Sequence, residues 1–219
     1  METPPGSQDP YAGLRARMVA EQIARRGVGD ERVLRAMATV PRHLFVPEHL
    51  RDSAYEDGPL PIGEDQTISQ PYIVAFMTEA IRPRPTDRVL EIGAGSGYQT
   101  AVLAGLVGHV YTTEVRPRLA EAARERLAEL GFANVTLRSA DGSAGWPEES
   151  PFDAILVTAA APRVPVALAG QLRQGGRLVI PIGSGDQELI RLTRNPDGLG
   201  SERLLPVRFV PLVLQDSGI

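Results

Sequence analysis

No cysteine occurs among the 219 residues, which excludes a disulfide framework, a thiolate metal site and a cysteine nucleophile. Lysine is missing too. All 23 basic side chains are arginines, so neither a Schiff base nor a lysine general base is available. The three histidines, His43, His49 and His109, are scattered without metal-ligand spacing, and no metal is expected. There is no G-x-S-x-G elbow. No apolar run approaches the ~18 residues that cross a membrane. The opening METPPGSQDP has no basic segment followed by an apolar core, so a secretory signal is not expected. A net charge of −4 gives no support to a protein that lives on phosphate backbones. What remains is a cytoplasmic chain expected to act without nucleic acid, membrane or metal.

Hydrophobic residues at 42% and charged residues at 23% are those of a globular protein. The length suits one well-packed domain with an appendage, not two ordinary domains. Residues 1–10 are expected to be a flexible tail and 11–219 a single domain. Within it, 11–81 form an N-terminal cap and active-site loop, and 82–219 a cofactor-binding core with C-terminal strands. No repeat or domain linker interrupts it.

The chain is organised around RVLEIGAGSGYQTAVLA, residues 88–104. An apolar run ending in Glu91 and Ile92 reads as a buried strand; Gly93, Gly95 and Gly97 make a tight loop; from Tyr98 the apolar spacing becomes helical. Glycines let the backbone approach a ligand, and a helix start offers unpaired N–H groups. The dinucleotide fingerprint is G-x-G-x-x-G, whereas this loop is G-x-G-x-G preceded by an acid. A carboxylate there repels a pyrophosphate but can hold the ammonium of an amino acid, directly or through water. S-adenosylmethionine is therefore favoured over NAD, the alternative being a glycine turn without a ligand.

Before this motif, residues 11–26 read as one amphipathic helix closed by Gly27, and Asp30 to Ala38 as a second with an Asp N-cap. Residues 40–70 are rich in Pro and Gly and read as a long irregular loop, a type that is often functional. Ser69 and Gln70 precede Pro71 at the start of another helix, and Ser69 either caps that helix or faces a ligand. After the motif, HVYTTE is a strand ending in Glu114, 21 residues beyond Gly93 and near the spacing of a ribose-binding acid. Residues 117–130 read as a helix and 135–137 as a short strand. Asp141, before Gly142, follows a strand end, where a carboxylate can accept from an adenine amino group; as an isolated Asp-Gly pair it would be a turn alone. FDAILVT is a continuous apolar strand. Strands at 177–182, 188–194 and 204–214 finish the chain, the last two forming an antiparallel pair at the end of a mostly parallel sheet.

Four stretches together resemble the protein-L-isoaspartate O-methyltransferases of bacterial or archaeal type. They are MVAEQIARRGVGDERVLRAMATVPRHLFVP, QTISQPYIVA (residues 66–75), LEIGAGSGYQTAVLA, and PFDAILVTAAAPRVPVALAGQLRQGGRLVIPIG. The glycine loop belongs to many methyltransferases; the other three are specific to this family. The resemblance runs from about Met18 to Leu212. It implies an α/β, Rossmann-like methyltransferase fold with a mostly parallel central sheet, helices on both faces, an N-terminal helical cap and antiparallel C-terminal strands. It implies S-adenosylmethionine as methyl donor, S-adenosylhomocysteine as product, and isoaspartyl-containing proteins and peptides as substrates. Ser69 matches the family's active-site serine, close to both cofactor and substrate carboxylate. Gln66, Thr67, Ile68 and Ser69 would border the cofactor, with Glu91, Gly93, Gly95, Ser96 and Gly97 in the loop. Glu114 would take the ribose, and Asp141 with Gly142 the adenine side. Two departures stand out: Ala140 replaces a glycine before Asp141, and Val213 a threonine after Val210-Pro211-Leu212.

The chemistry agrees with that implication. An α-carboxylate, with pKa about 3.5, is already ionised at neutral pH and needs no base. An alcohol or amine acceptor would need one, and Lys, Cys and a His motif are all missing. Other readings are a methyltransferase of the same fold acting on a small molecule or RNA, and a scaffold that kept the fold without the activity. A monomer is expected.

Overall fold

The computed structural model describes residues 9–213. Most of the expected tail, residues 1–8, and Leu214 at the end of the expected last strand lie outside them. In chain order, helices α1 (Ala12–Arg17) and α2 (Glu31–Thr39) precede strands β1 (Leu60–Gly63) and β2 (Gln66–Ile68), then α3 (Pro71–Ala80). The alternating core follows: β3 (Arg88–Ile92), α4 (Tyr98–Ala104), β4 (His109–Glu114), α5 (Pro117–Glu129), β5 (Val135–Ser139) and β6 (Phe152–Val157). Helix α6 (Val166–Gly170) leads to β7 (Leu172–Ile182), β8 (Gln187–Asn195) and β9 (Gly198–Val207).

β1 and β2 form a separate hairpin; the other strands make one seven-stranded sheet in the order β5-β4-β3-β6-β7-β8-β9. Strands β3 to β7 pair in parallel, while β7–β8 and β8–β9 are antiparallel. From β3 the chain steps outward to β4 and β5, then returns to place β6 on the other side of β3. Such a reversal opens a crevice beyond the carboxyl ends of the strands, where ligands of open α/β sheets bind.

Strand periodicity divides the core into two. Val89, Val110, Ala154, Leu156 and Val179 pack against the face carrying Val33 and Met37 of α2, Val74 and Met77 of α3, and α4. Leu90, Ile92, Ile155, Val157, Leu178 and Ile180 pack on the opposite face with Trp146 and Leu168. Burial on both faces explains the near-continuous apolar runs of β3 and β6. Among the described residues no helix is long and apolar enough to cross a membrane.

Four details differ from the sequence reading. The first helix is α-helical only to Arg17, then widens into a π-helix (Met18–Ile23) and tightens into a 3₁₀ turn (Ala24–Arg26). The wider turn brings Ile23 round to the side of Met18, so that both are fully buried. The segment read as irregular holds two 3₁₀ helices (Arg42–Phe45 and Glu48–Ser53) and the β1–β2 hairpin. Strand β7 begins at Leu172, so the helix before it is only five residues long. Finally, β9 starts at Gly198, because a two-residue turn closes the β8–β9 hairpin immediately after Asn195. As expected, Asp30 caps α2, its carboxylate accepting from the Arg32 amide at 2.8 Å.

Candidate active site

At the crevice the chain surrounds a cavity of about 370 Å³. Its wall combines the ends of β3, β4 and β6, the Asp141–Gly142 loop after β5, residues 65–69 and residues 210–213. Of the residues singled out in the sequence, Gln66, Thr67, Ile68, Ser69, Gly93, Gly95, Ser96, Glu114, Asp141 and Gly142 line it together. Glu91 and Gly97 are not on the wall.

The floor is built from backbone. Gly93 has φ +95°, and its amide and that of Ala94 both donate to the Thr113 carbonyl, at 2.8 and 3.0 Å. From the end of β6, the Thr158 hydroxyl contacts the carbonyl oxygens of Ile92 at 2.9 Å and Gly93 at 2.6 Å. A Cβ at position 93 would collide with that hydroxyl. Gly97 serves packing: a Cβ there would press on Leu127 and Ala123 of α5, at 3.3 and 3.4 Å, which accounts for its place off the cavity. The Ser96 carbonyl accepts from Arg126 at 2.8 Å and ties the loop to α5.

The three acids have different surroundings. Glu91 shares the face of Val89, beneath α4, because alternate residues of a strand point the same way. It is fully buried, and its Oε2 accepts from the hydroxyls of Thr100 and Thr112 at 2.5 and 2.7 Å. Burial pushes its carboxyl up to about 7, the two hydroxyls lower it, and the nearby Glu114 raises it. Buried beneath α4 and off the cavity wall, Glu91 does not meet a ligand's ammonium directly, the first of the two contacts, direct or through water, that the sequence offered.

Glu114, 5% exposed, accepts from the Gly95 amide at 2.8 Å and the Arg116 amide at 2.9 Å, one on each oxygen. Each oxygen keeps a lone pair for a ligand hydroxyl. Asp141 is oriented by Ser143, whose amide donates at 2.7 Å and hydroxyl at 3.1 Å. Thr113 Oγ1, buried on the cavity wall, has no partner among the described residues.

Opposite the glycine loop, the β1–β2 hairpin turns at Glu64 and Asp65, both with positive φ (52° and 57°), the geometry of a type I′ turn. An ion pair of 3.6 Å joins Glu64 to Arg118 at the start of α5. The N-cap of α3 is Gln70, and no side chain caps that helix. Ser69 is therefore not a helix cap. It is half-buried, and its hydroxyl makes no hydrogen bond among the described residues. The Gln70 amide group donates to Asp57 at 2.7 Å, which pairs with Arg26 at 3.1 Å. The remaining wall is pinned to Ala160, which donates to the Val210 carbonyl at 2.8 Å and accepts from the Leu212 amide at 2.7 Å.

Three carboxylates (Asp65, Glu114, Asp141) and one guanidinium (Arg116) line the cavity, with no histidine. This balance suits a cationic ligand rich in hydroxyl and amino donors and opposes a pyrophosphate. The sequence reading missed Thr113 and Thr158 as wall residues. Thr158 ends an apolar strand, as Glu114 does, and that position was the available signal.

Strand order and cavity position define a Rossmann-like methyltransferase fold. Residues 14–217 match the family model described as protein-L-isoaspartate(D-aspartate) O-methyltransferase, and the chain belongs to that family. It is 55% identical over 218 residues to a protein-L-isoaspartate O-methyltransferase of Synechococcus sp. (strain JA-2-3B'a(2-13)), covering 96% of this chain and 89% of the relative. To that of Roseiflexus castenholzii it is 57% identical over 198 residues, covering 90% and 91%. A solved protein-L-isoaspartate O-methyltransferase superposes with a TM-score of 0.81 at 32% identity, over 90% of this chain and 65% of that one; against this structure the chain spans just under two thirds of the length. A Plasmodium falciparum structure, described as a putative protein-L-isoaspartate O-methyltransferase in complex with S-adenosyl-L-homocysteine, gives 0.78 at 27% identity, over 91% and 98%.

Proposed function

We propose that this chain is a protein-repair enzyme that moves a methyl group from S-adenosylmethionine to the free α-carboxylate of L-isoaspartyl residues in damaged proteins and peptides. The reading takes it to be a cytoplasmic monomer folded as one domain over residues 11–219. The observation that carries it is Ser69: an uncommitted hydroxyl on the wall of a cavity whose lining holds no histidine, lysine or cysteine. Such a hydroxyl can orient a carboxylate that arrives already ionised and needs no base.

The residues present fit the cofactor. Glu114 has lone pairs for two ribose hydroxyls, Asp141 for an amino group, and the unpartnered Thr113 hydroxyl needs a partner from within the cavity. Gly93, Gly95 and Ser96 let the backbone lie close to the chain of the methionine part. When bound, S-adenosylmethionine supplies a sulfonium-activated methyl group.

The protein's own contribution is positional. Ser69 would donate a hydrogen bond to one oxygen of the substrate carboxylate and leave the other free to accept the methyl group. Holding two reactants in line is worth several kcal/mol of the barrier. Opposite charges cancel as they react, so the apolar wall of Ile68, Ile92, Val210 and Leu212, by excluding water, strengthens their attraction. Ser69 is not a nucleophile, since no group among the described residues is placed to accept its proton.

The test is labelled methyl transfer to a synthetic isoaspartyl peptide beside its normal aspartyl twin. Label confined to the isoaspartyl peptide is expected. Equal labelling of both, or of neither, would overturn the reading.

A further inference from the structure

We infer that the Gln99 side chain holds the amino-acid end of the bound methyl donor, its Oε1 accepting from the α-ammonium group. The inference rests on the cavity being the S-adenosylmethionine site, and it gives Gln99 the direct contact that the sequence offered to Glu91.

Gln99 is the second residue of α4 and lies on the cavity wall, 7% exposed. Its neighbours on the helix are committed elsewhere. Thr100 bonds Glu91 beneath α4, and Tyr98 meets Phe45 edge to face with its hydroxyl toward Met37. Gln99 instead reaches across to α3, the helix that follows Ser69 and Gln70. There its Nε2 donates to the Thr78 hydroxyl at 2.8 Å.

An amide side chain can be turned end for end, and Thr78 decides which way this one points. The Thr78 hydroxyl has one hydrogen, which it donates to the Val74 carbonyl at 2.7 Å. Toward Gln99 it can then only accept, so the amide nitrogen must face it and the amide oxygen must face away. Thr78 is fully buried, which holds this arrangement in place. Oε1 has no partner among the described residues, yet it is not sealed off by its neighbours. On a residue of the cavity wall with so little exposed surface, the face left open is the one toward the cavity. The result is a fixed, neutral acceptor that lacks a donor.

The parts of the methyl donor run in line: adenine, ribose, then sulfur and the amino acid. With Asp141 and Glu114 given to the first two, the remaining acid of the wall is Asp65, exposed at the hairpin turn. The Thr158 hydroxyl is taken by the carbonyls of Ile92 and Gly93. Gln99 is the acceptor that the first turn of α4 supplies. A neutral oxygen suits the place: it accepts from an ammonium, whereas a carboxylate so near would repel the anion that Ser69 orients.

The experiment is calorimetric titration of the full-length chain with three ligands. They are S-adenosylhomocysteine, its decarboxylated analogue, which keeps the amine, and 5′-methylthioadenosine, which has neither amine nor carboxylate. Gln99→Leu is expected to weaken the first two by about ten- to a hundredfold, the range for a hydrogen bond to a charged group. Binding of 5′-methylthioadenosine is expected to stay within about twofold, which also shows that the variant is folded. Thr78→Val removes the hydroxyl that sets the direction of the amide, and is expected to give the same pattern at about threefold. Equal losses for all three ligands, or no loss for any, would overturn the inference. So would a loss confined to S-adenosylhomocysteine, which would place Gln99 on the carboxylate. Failure of the unaltered chain to bind S-adenosylhomocysteine would overturn the cofactor reading, and this inference with it.

Discussion

The Thr158 hydroxyl lies 2.6 Å from the carbonyl oxygen of Gly93, so the end of one central strand fixes the backbone that leaves its neighbour. Gly93→Ala must move that hydroxyl and hold an alanine at φ +95°. It is expected to weaken S-adenosylhomocysteine binding by at least about tenfold, a strain of the size found for non-glycine residues in such backbone regions. Thr158→Val is expected to cost about threefold to tenfold through one lost hydrogen bond, and Thr158→Ser to recover most of it. Calorimetric titration of the three variants checks this.

Ser69→Ala removes the uncommitted hydroxyl and touches no bond of the fold. Single-turnover rates on an isoaspartyl peptide are expected to fall by about ten- to a thousandfold, the range for a lost orienting donor. Affinity for S-adenosylhomocysteine is expected to stay within a factor of about two, since the ribose and adenine contacts are elsewhere. An unchanged rate would remove Ser69 from the reaction.

Glu91 gives a stability signature in pH. Its folded pKa, about 7, lies above the ordinary 4.5, so between these values the folded chain holds a proton that the unfolded chain has released. Its stabilising contribution is complete below pH 4.5 and is lost as pH rises through about 7. The total is of order 3 kcal/mol, at ~1.4 kcal/mol per pH unit. Glu91→Gln is expected to flatten the fall in stability across that window, measured by urea denaturation at a series of pH values. An unchanged slope would mean that Glu91 is ionised throughout.

Glu114 accepts from two backbone amides, one on each oxygen. Glu114→Gln sets an NH₂ group against one of those donors and leaves it unsatisfied. A loss of about 1–3 kcal/mol in stability is expected, together with weaker cofactor binding. Denaturation midpoints and calorimetry on the same sample would show both effects.

The parallel core was legible because its strands are buried on both faces and its helices on one, which writes two distinct periods into the sequence. Gly93, Glu114, Asp141 and Ser69 were legible because each follows a strand or precedes a helix with a recognisable residue type. Glu91 was read from its position in the motif as a contact to a ligand's ammonium, direct or through water, and the side-chain period of the strand turns it under α4, off the cavity wall. The π-turn at Met18–Ile23 and the β1–β2 hairpin were not legible: the first depends on tertiary packing that buries both Met18 and Ile23, the second on left-handed backbone that includes Glu64, a residue not specialised for it. The start of β9 was misread because the tight Pro196–Asp197 turn leaves no loop to mark the boundary.

Among the described residues, the side-chain polar link from the hairpin tip beside Asp65 to the rest of the chain is the Glu64–Arg118 ion pair, the arginine 89% exposed. An ion pair so open to water is worth under about 1 kcal/mol and weakens further in salt. The grip of this pair on the rim of the cavity is therefore slight and falls as ionic strength rises.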